Sequence, residues 1–355
     1  MSGPVVNAVY YPSWRVYKER PPSSLQADII THVFYAFVGQ GPKVHDDGTF
    51  RLLDEWADLD KDVDGEKGCL SALAELKRKN RHLKTLVSLG GASASADFPA
   101  LAANEASRQT FARQAREFCD RHSLDGIDVD WEHPTTPEQG RDFVELLHVA
   151  RDALPSPDYL VTTALPVGEY CLRNIDLAEA SALLDFLNLM TYDFTGNWTK
   201  VCGHHAQLLA PTDESVTVHP DLTASCSRGV EYVRSRGVPS NKVLLGIPVY
   251  ARYFPHTIGH GEAFLSAAGE MDYCDLPDVW LAEAHVDEAT AAASFVDAQD
   301  GKGFVSFDVP STVAAKARYA KATGLGGLFY WTGAGDRPGT DSLVAAGYAA
   351  LLSDS

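Results

Sequence analysis

Strand-like and helix-like segments alternate along almost the whole chain, and this alternation restricts the fold more than any other property of the sequence. Runs rich in β-branched and aromatic residues occur at about 5–12 (VVNAVYYP), 30–38, 84–90, 124–132, 159–166, 186–193, 242–250 and 325–332. Between them, apolar residues recur at helical spacing over 68–80, 104–122, 137–154, 174–184, 223–236, 311–323 and 341–352, with a weaker first crossover around 23–28. A change of hydrophobic period from two to 3.6 and back marks a strand followed by a helix. Eight such units predict an α/β chain folded as a (β/α)8 TIM barrel. A doubly wound open sheet is the alternative. It usually places a glycine-rich turn after its first strand, where this chain has Tyr10-Tyr11-Pro12-Ser13-Trp14. Two connections are long, 194–221 and 253–303. The second holds Tyr273, Trp280 and a segment, 281–298, expected to be helical, and is read as a small insertion at the rim between the seventh and eighth strands. Residues 1–355 are then one catalytic barrel with 253–303 inserted in it.

The strand at 124–132 reads Leu-Asp-Gly-Ile-Asp-Val-Asp-Trp-Glu. Alternate side chains of a strand leave on opposite faces. Asp128, Asp130 and Glu132 therefore form a file of carboxyls on one face, and Val129 and Trp131 lie on the other. Neighbours in the file are roughly 6–7 Å apart, so their charges repel when all are ionised. Such a row does not serve stability. It suits chemistry in which one acid stays protonated near neutral pH and donates its proton. The plain reading is a solvated edge strand. The apolar Leu124, Ile127 and Val129, and helical segments on both sides, favour an interior strand.

Notable residues also fall at the ends of other strands, where barrel sites are built: Trp14, Gly90-Gly91, Tyr192-Asp193, Tyr250 and Trp331. The formal net charge of −18 argues against nucleic acid or an anionic membrane as partner. No apolar run reaches eighteen residues, so no membrane span is expected. The start, Met1-Ser2-Gly3-Pro4, has neither a basic nor an apolar leader region. A secreted protein whose signal has been removed and an intracellular one would both look like this. The six cysteines include no C-x-x-C pair, so neither zinc nor redox chemistry is expected, although Cys202 and Cys226 flank one loop and would pair in a secreted form. His256 and His260 are four apart but lie among Pro255, Gly259 and Gly261, and His204-His205 stands alone in a loop. No metal and no cofactor are expected. A monomer is expected.

The acidic strand resembles the D-x-x-D-x-D-x-E signature of family 18 glycoside hydrolases, here Asp125, Asp128, Asp130 and Glu132. The similarity runs along nearly the whole chain. AVYYPSW and THVFYAF resemble the first two strands of the family. Ser88-Leu89-Gly90-Gly91 matches its S-x-G-G, Met190-Thr191-Tyr192-Asp193 its M-x-Y-D, and GIPVYAR (246–252) and GGLFYW (326–331) its last two strands.

The resemblance implies hydrolysis of β-1,4 bonds between N-acetylglucosamine units of chitin or chito-oligosaccharides. It also implies retention of configuration and a substrate-assisted route through an oxazolinium intermediate. On this reading Glu132 is the general acid and then base. Asp130 binds the acetamido N–H and steadies the intermediate, Asp128 shares a proton with it, and Asp125 is structural. Tyr192 holds the acetamido carbonyl. Asp193, Met190, Tyr250, Arg252, Trp14, Tyr10 and Phe37 contact or frame the sugar, and Trp331 is its apolar floor. Gly90 and Gly91 keep space where a side chain would block the sugar or the acids. Tyr17, Trp198 and Trp280 are further candidate platforms. Read without the acids, Tyr192 and Trp331 are ordinary core aromatics, Asp193 caps a turn and the glycines serve a turn. The short insertion implies an open cleft that cuts within chains. The rival readings are a non-catalytic chitin-binding barrel, an endo-β-N-acetylglucosaminidase acting on N-glycan cores, and a two-carboxylate glycosidase of unrelated specificity.

Overall fold

Alternation along the first strand, β1 (Val6–Pro12), divides its side chains between two apolar clusters: Ala8 and Tyr10 join one, Val9 and Tyr11 the other. Repeated around the sheet, this places a small cluster inside a barrel and a large one between the barrel and its helices. The computed structural model describes residues 5–38, 47–49, 51–52, 54–211 and 219–353. Met1–Pro4 and residues 212–218 of the long 194–221 connection lie outside the described residues.

Seven more strands complete the barrel: β2 (His32–Val38), β3 (Lys84–Gly90), β4 (Gly126–Asp130), β5 (Leu160–Pro166), β6 (Phe186–Met190), β7 (Val243–Pro248) and β8 (Gly327–Trp331). The eight close in sequence order, with β8 against β1, and neighbouring strands are parallel. The returning helices are α1 (Gly68–Lys79), α2 (Glu105–His122), α3 (Pro137–Ala153), α4 (Leu177–Leu183), α5 (Cys226–Ser235), α6 (Pro310–Ala322) and α7 (Leu343–Leu352). Several start on side-chain caps that satisfy free backbone N–H groups. Asn104 accepts from Ser107, Thr136 from Gln139 ahead of Pro137, Asp176 from Glu179, and Ser342 from Ala345. This is the (β/α)8 barrel that the alternation predicts. The first crossover, weak in the sequence, holds two 3-10 segments, Ser13–Lys18 and Pro22–Ser24, in place of an α-helix.

The insertion corrects two expectations. The strand expected over 242–250 ends at Pro248, and Tyr250 opens a second sheet. That antiparallel sheet has the order Gly269–Asp272, Tyr250–Phe254, Gly303–Phe307, Ala292–Asp297, His285–Asp287. The segment 281–298, expected to be helical, therefore carries two strands after a short helix at Asp278–Ala282. Its many alanines favour a helix locally. Pairing of Ala293 to Asp297 with Gly303–Phe307 overrides that preference, because a ladder with a buried partner outweighs a few tenths of a kcal/mol per residue.

Candidate active site

The register of β4 against its neighbours sets the site. Ser88 pairs with Asp128, Gly90 with Asp130, and Asp128 with Thr162. The outward face of the strand is apolar, with Trp131 buried and stacked on Phe98 at 5.6 Å. The inward face carries the acids.

Asp128 lies deepest and is fully buried. Four donors meet it: Tyr10 Oη at 2.7 Å, Ser88 Oγ at 2.8 Å, Thr162 Oγ1 at 2.7 Å and Asn188 Nδ2 at 3.3 Å. Burial raises its pKa, against the Thr162, Tyr10 and Ser88 donors, which pull it down in part. Asp130, one step up, has far less support. Its Oδ1 is buried with no hydrogen-bond partner among the described residues. Burial and the charges of Glu132 and Asp128 push its pKa well above the ordinary carboxylate range. Asp128 and Asp130 therefore titrate as a pair. Glu132 stands at the strand's end. Its backbone N–H donates to Ser95 Oγ at 2.8 Å. Burial, then the charge of Asp193, raises its carboxyl to about 7, against a backbone N–H from Ala92. It holds its proton in the range where a general acid is most useful.

Asp193 follows β6 with φ at 61°, a left-handed conformation that Asp tolerates better than most residues. It accepts from Tyr250 Oη at 2.5 Å and Arg252 Nε at 2.8 Å, and His205 Nδ1 lies 3.7 Å away. Burial would raise its pKa, but His205, Arg252 and Tyr250 together hold it below the usual value. Arg252 also pairs with Glu270 at 2.9 Å and lies under the ring of Trp198 at 4.8 Å.

Tyr10, Trp14, Phe37, Asp130, Glu132, Met190, Tyr192, Asp193, Tyr250 and Trp331 all line one cavity of about 250 Å³. Trp331 packs against Tyr10 and Phe37, each at 5.4 Å between ring centres. Burial pushes the Tyr192 hydroxyl's pKa well up, so it remains a hydrogen-bond donor. A second hollow of about 420 Å³ shares Trp14, Tyr250, Glu270 and Trp331 and extends the cleft past Arg15, Lys18 and Asp272.

Other expected residues fall elsewhere. Asp128 lies below the cavity and Arg252 behind Asp193. Gly90 and Gly91 have φ of 121° and 88°. A Cβ at Gly90 would sit 2.1 Å from the Asp130 carbonyl oxygen, and one at Gly91 would sit 2.8 Å from the Phe37 ring. The space they keep belongs to β4 and to Phe37. Asp125 is a structural anchor, accepting from the Thr85 N–H and pairing with Lys77. Trp280 is buried against Phe295, and Tyr17 turns outward to Asp54. Trp198 is exposed beside the cleft. The thiols of Cys202 and Cys226 are both free, each donating to a backbone carbonyl.

Sequence reasoning missed Glu270, His205, and the Thr162 and Asn188 donors. No motif marks the first two. The last two could be found only by working out the register of β5 and β6 against β4.

With this geometry in place, comparison with known proteins is direct. Residues 6–336 match Glycosyl hydrolases family 18, and the chain belongs to that family. It is thus a glycoside hydrolase. It is 33% identical over 370 residues to Chitinase 1 of Aphanocladium album, covering 97% of this chain and 85% of that protein. The crystal structure of the Ostrinia furnacalis Group IV chitinase superposes with a TM-score of 0.85 at 26% identity, covering 99% of this chain and 100% of that one. The structure of an Ostrinia furnacalis Group IV chitinase in complex with allosamidin gives 0.83 at 26% identity, with 97% of each chain covered.

Proposed function

We propose that this protein is a chitinase: a single barrel that hydrolyses β-1,4 bonds between N-acetylglucosamine units with retention, through an oxazolinium intermediate. One observation carries the reading. Glu132, with a pKa of about 7, stands directly above Asp130, whose buried Oδ1 has no partner among the described residues. Turned toward the cavity it lines, the Asp130 carboxyl accepts the substrate's acetamido N–H. Glu132 protonates the glycosidic oxygen while the acetamido carbonyl oxygen attacks the anomeric carbon, held by a hydrogen bond from the Tyr192 hydroxyl. The C–O bond to the leaving sugar breaks and the oxazolinium ring closes. Its positive charge rests over the Asp130–Asp128 pair. Glu132, now ionised, takes a proton from water as the water opens the ring. Two inversions give net retention.

A separate carboxylate nucleophile is unnecessary. Asp193 is poorly suited to that task, because Tyr250 and Arg252 occupy its Oδ1. The face of Trp331 supports the sugar at the cleavage point, and Trp14 continues the apolar path into the neighbouring hollow.

The test is release of a fluorescent leaving group from chito-oligosaccharides by the wild type and by Glu132→Gln. The amide keeps the shape but has no proton to give. A fall in kcat of at least ~10²-fold with binding retained is expected. Undiminished activity in the variant would overturn the mechanism. Absence of activity in the wild type, with sugar still bound, would favour the non-catalytic reading.

A further inference from the structure

One cavity lies apart from the catalytic cleft. It measures about 590 Å³ and shares no lining residue with the cleft. It lies between the outer strands of the insertion sheet and the 204–211 stretch of the loop after β6. Its walls carry the imidazoles of His204, His260 and His285, the carboxylates of Glu283 and Asp287, and the Gln207 amide. Phe295 and Phe304 supply apolar surface. Gln207 is almost fully buried and donates to the Ala224 carbonyl, but its Oε1 has no partner among the described residues.

The wall chemistry narrows what the cavity can hold. No lysine or arginine lines the cavity, so it offers no partner for phosphate or another strong anion. Burial lowers the pKa of His204 to about 3 and lowers that of His260, so both rings are neutral and each offers a donor and an acceptor. Carboxylates and neutral imidazoles interleaved with aromatic surface suit a ligand with many hydroxyls and apolar C–H faces. The volume is within the usual range for small-molecule sites and matches one or two sugar rings. We infer that this cavity is a second, non-catalytic binding site for a short neutral saccharide.

The site is also wired to the cleft. Cross-strand partners in a sheet share a face. The pairs Glu270–Arg252, Arg252–Ser306, Ser306–Ser294 and Ser294–His285 form one row across the whole insertion sheet. Of its first two members, Glu270 lines the cleft and Arg252 pairs with Asp193. Its last two line the second cavity. In the middle, Ser306 Oγ contacts His204 Nδ1 at 3.4 Å and accepts the His205 N–H at 3.2 Å. His204 faces the second cavity, while His205, fully buried, touches Asp193 and packs on Tyr250 at 5.1 Å. A saccharide that moves His204 therefore bears on Asp193 through the adjacent residue. The binding claim stands whatever the cleft cleaves, and the coupling claim rests on the catalytic reading above.

Two substitutions away from the cleft test it. Val296→Trp fills the cavity from a partly exposed position, and Gln207→Leu makes one polar wall residue apolar while keeping its size. In the Glu132→Gln background, which does not turn over, calorimetric titration with the β-1,4 dimer of N-acetylglucosamine is expected to show a component lost in both variants. Thermal melts would check that each variant is folded. Titration with cellobiose separates a general saccharide site, which would bind it, from one requiring the acetamido group, which would not. In the active enzyme, the dimer is expected to shift KM for a fluorogenic substrate about five-fold beyond simple competition, and the excess should vanish in Val296→Trp. Identical isotherms for the parent and both folded variants, with both sugars, would overturn the site. Loss of binding without the KM effect would overturn the coupling alone. Absence of chitinase activity together with variant-sensitive binding would sink the catalytic reading and leave this one standing.

Discussion

Asp128 and Asp193 are carboxyls of one active site, yet they are held in opposite ways. Four neutral donors hold Asp128, one each from β1, β3, β5 and β6. Every one of those strands is locked by two neighbours in a closed ring, so the donors are fixed before any substrate arrives. Asp193 is held mainly by charge and from one side, by Arg252 and Tyr250 of the insertion sheet, with His205 behind it. Arg252 divides itself between Asp193 and the more exposed Glu270. The floor is preorganised by the fold itself. The rim is assembled by an appended sheet whose charges meet solvent. Damage to the floor should therefore cost both fold and catalysis, whereas damage to the rim should alter how the acid titrates and leave the fold intact.

The largest effect should come from Asp128→Ala. It leaves buried donors without their acceptor, each at about 1–3 kcal/mol if water does not replace it. It also removes the partner with which Asp130 shares its titration. Chemical denaturation should show a loss of several kcal/mol, and kcat should fall by at least ~10²-fold. Unchanged stability would show that the floor is no more committed than the rim. Asp128→Asn keeps the shape and should recover most of the stability but little of the activity.

Asp193→Asn should sharpen the comparison through pH. In the proposed mechanism Glu132 acts as an acid while protonated, so activity falls as pH rises through its pKa, about 7 in the intact enzyme. The negative charge of Asp193 is one cause of that elevation, since it opposes a second negative charge nearby. Removing it lowers the pKa of Glu132, and the alkaline limb of kcat/KM should move to lower pH. The melting temperature should change little. A limb that stays in place would mean that burial alone sets the acid.

How far each region could be read from sequence follows the same division. The floor acids come from a period-two pattern within nine residues, and the barrel from an alternation that every βα unit repeats. Trp331 and Tyr192 sit at strand ends where a barrel collects its chemistry. The insertion sheet obeys no local rule. The alanines of 281–298 prefer a helix by intrinsic propensity, and only pairing with residues 303–307 makes them strand. Glu270 reaches the cleft because it is opposite Arg252 on a neighbouring strand, and His205 touches Asp193 because Ser306 anchors its backbone. Such contacts depend on registers between segments far apart in sequence, which neither composition nor periodicity specifies. The Thr162 and Asn188 donors are of the same kind, although they belong to the floor.

The smallest effect should come from Glu270→Gln. Its pair with Arg252 spans 2.9 Å, but its own side chain is 58% exposed, so water and salt screen most of the attraction. Exposed pairs of this sort are worth about 0–1 kcal/mol. Freed from Glu270, Arg252 remains with Asp193, so the charge that sets Glu132 is nearly unchanged. The expected result is a change in kcat/KM below about five-fold, with an unmoved alkaline limb. A loss of ten-fold or more confined to KM would mean that Glu270 binds sugar directly, since it lines the catalytic cavity and the hollow beside it. A loss confined to kcat would mean that the rim orders Asp193 as tightly as the barrel orders Asp128, and the contrast between the two carboxyls would fail.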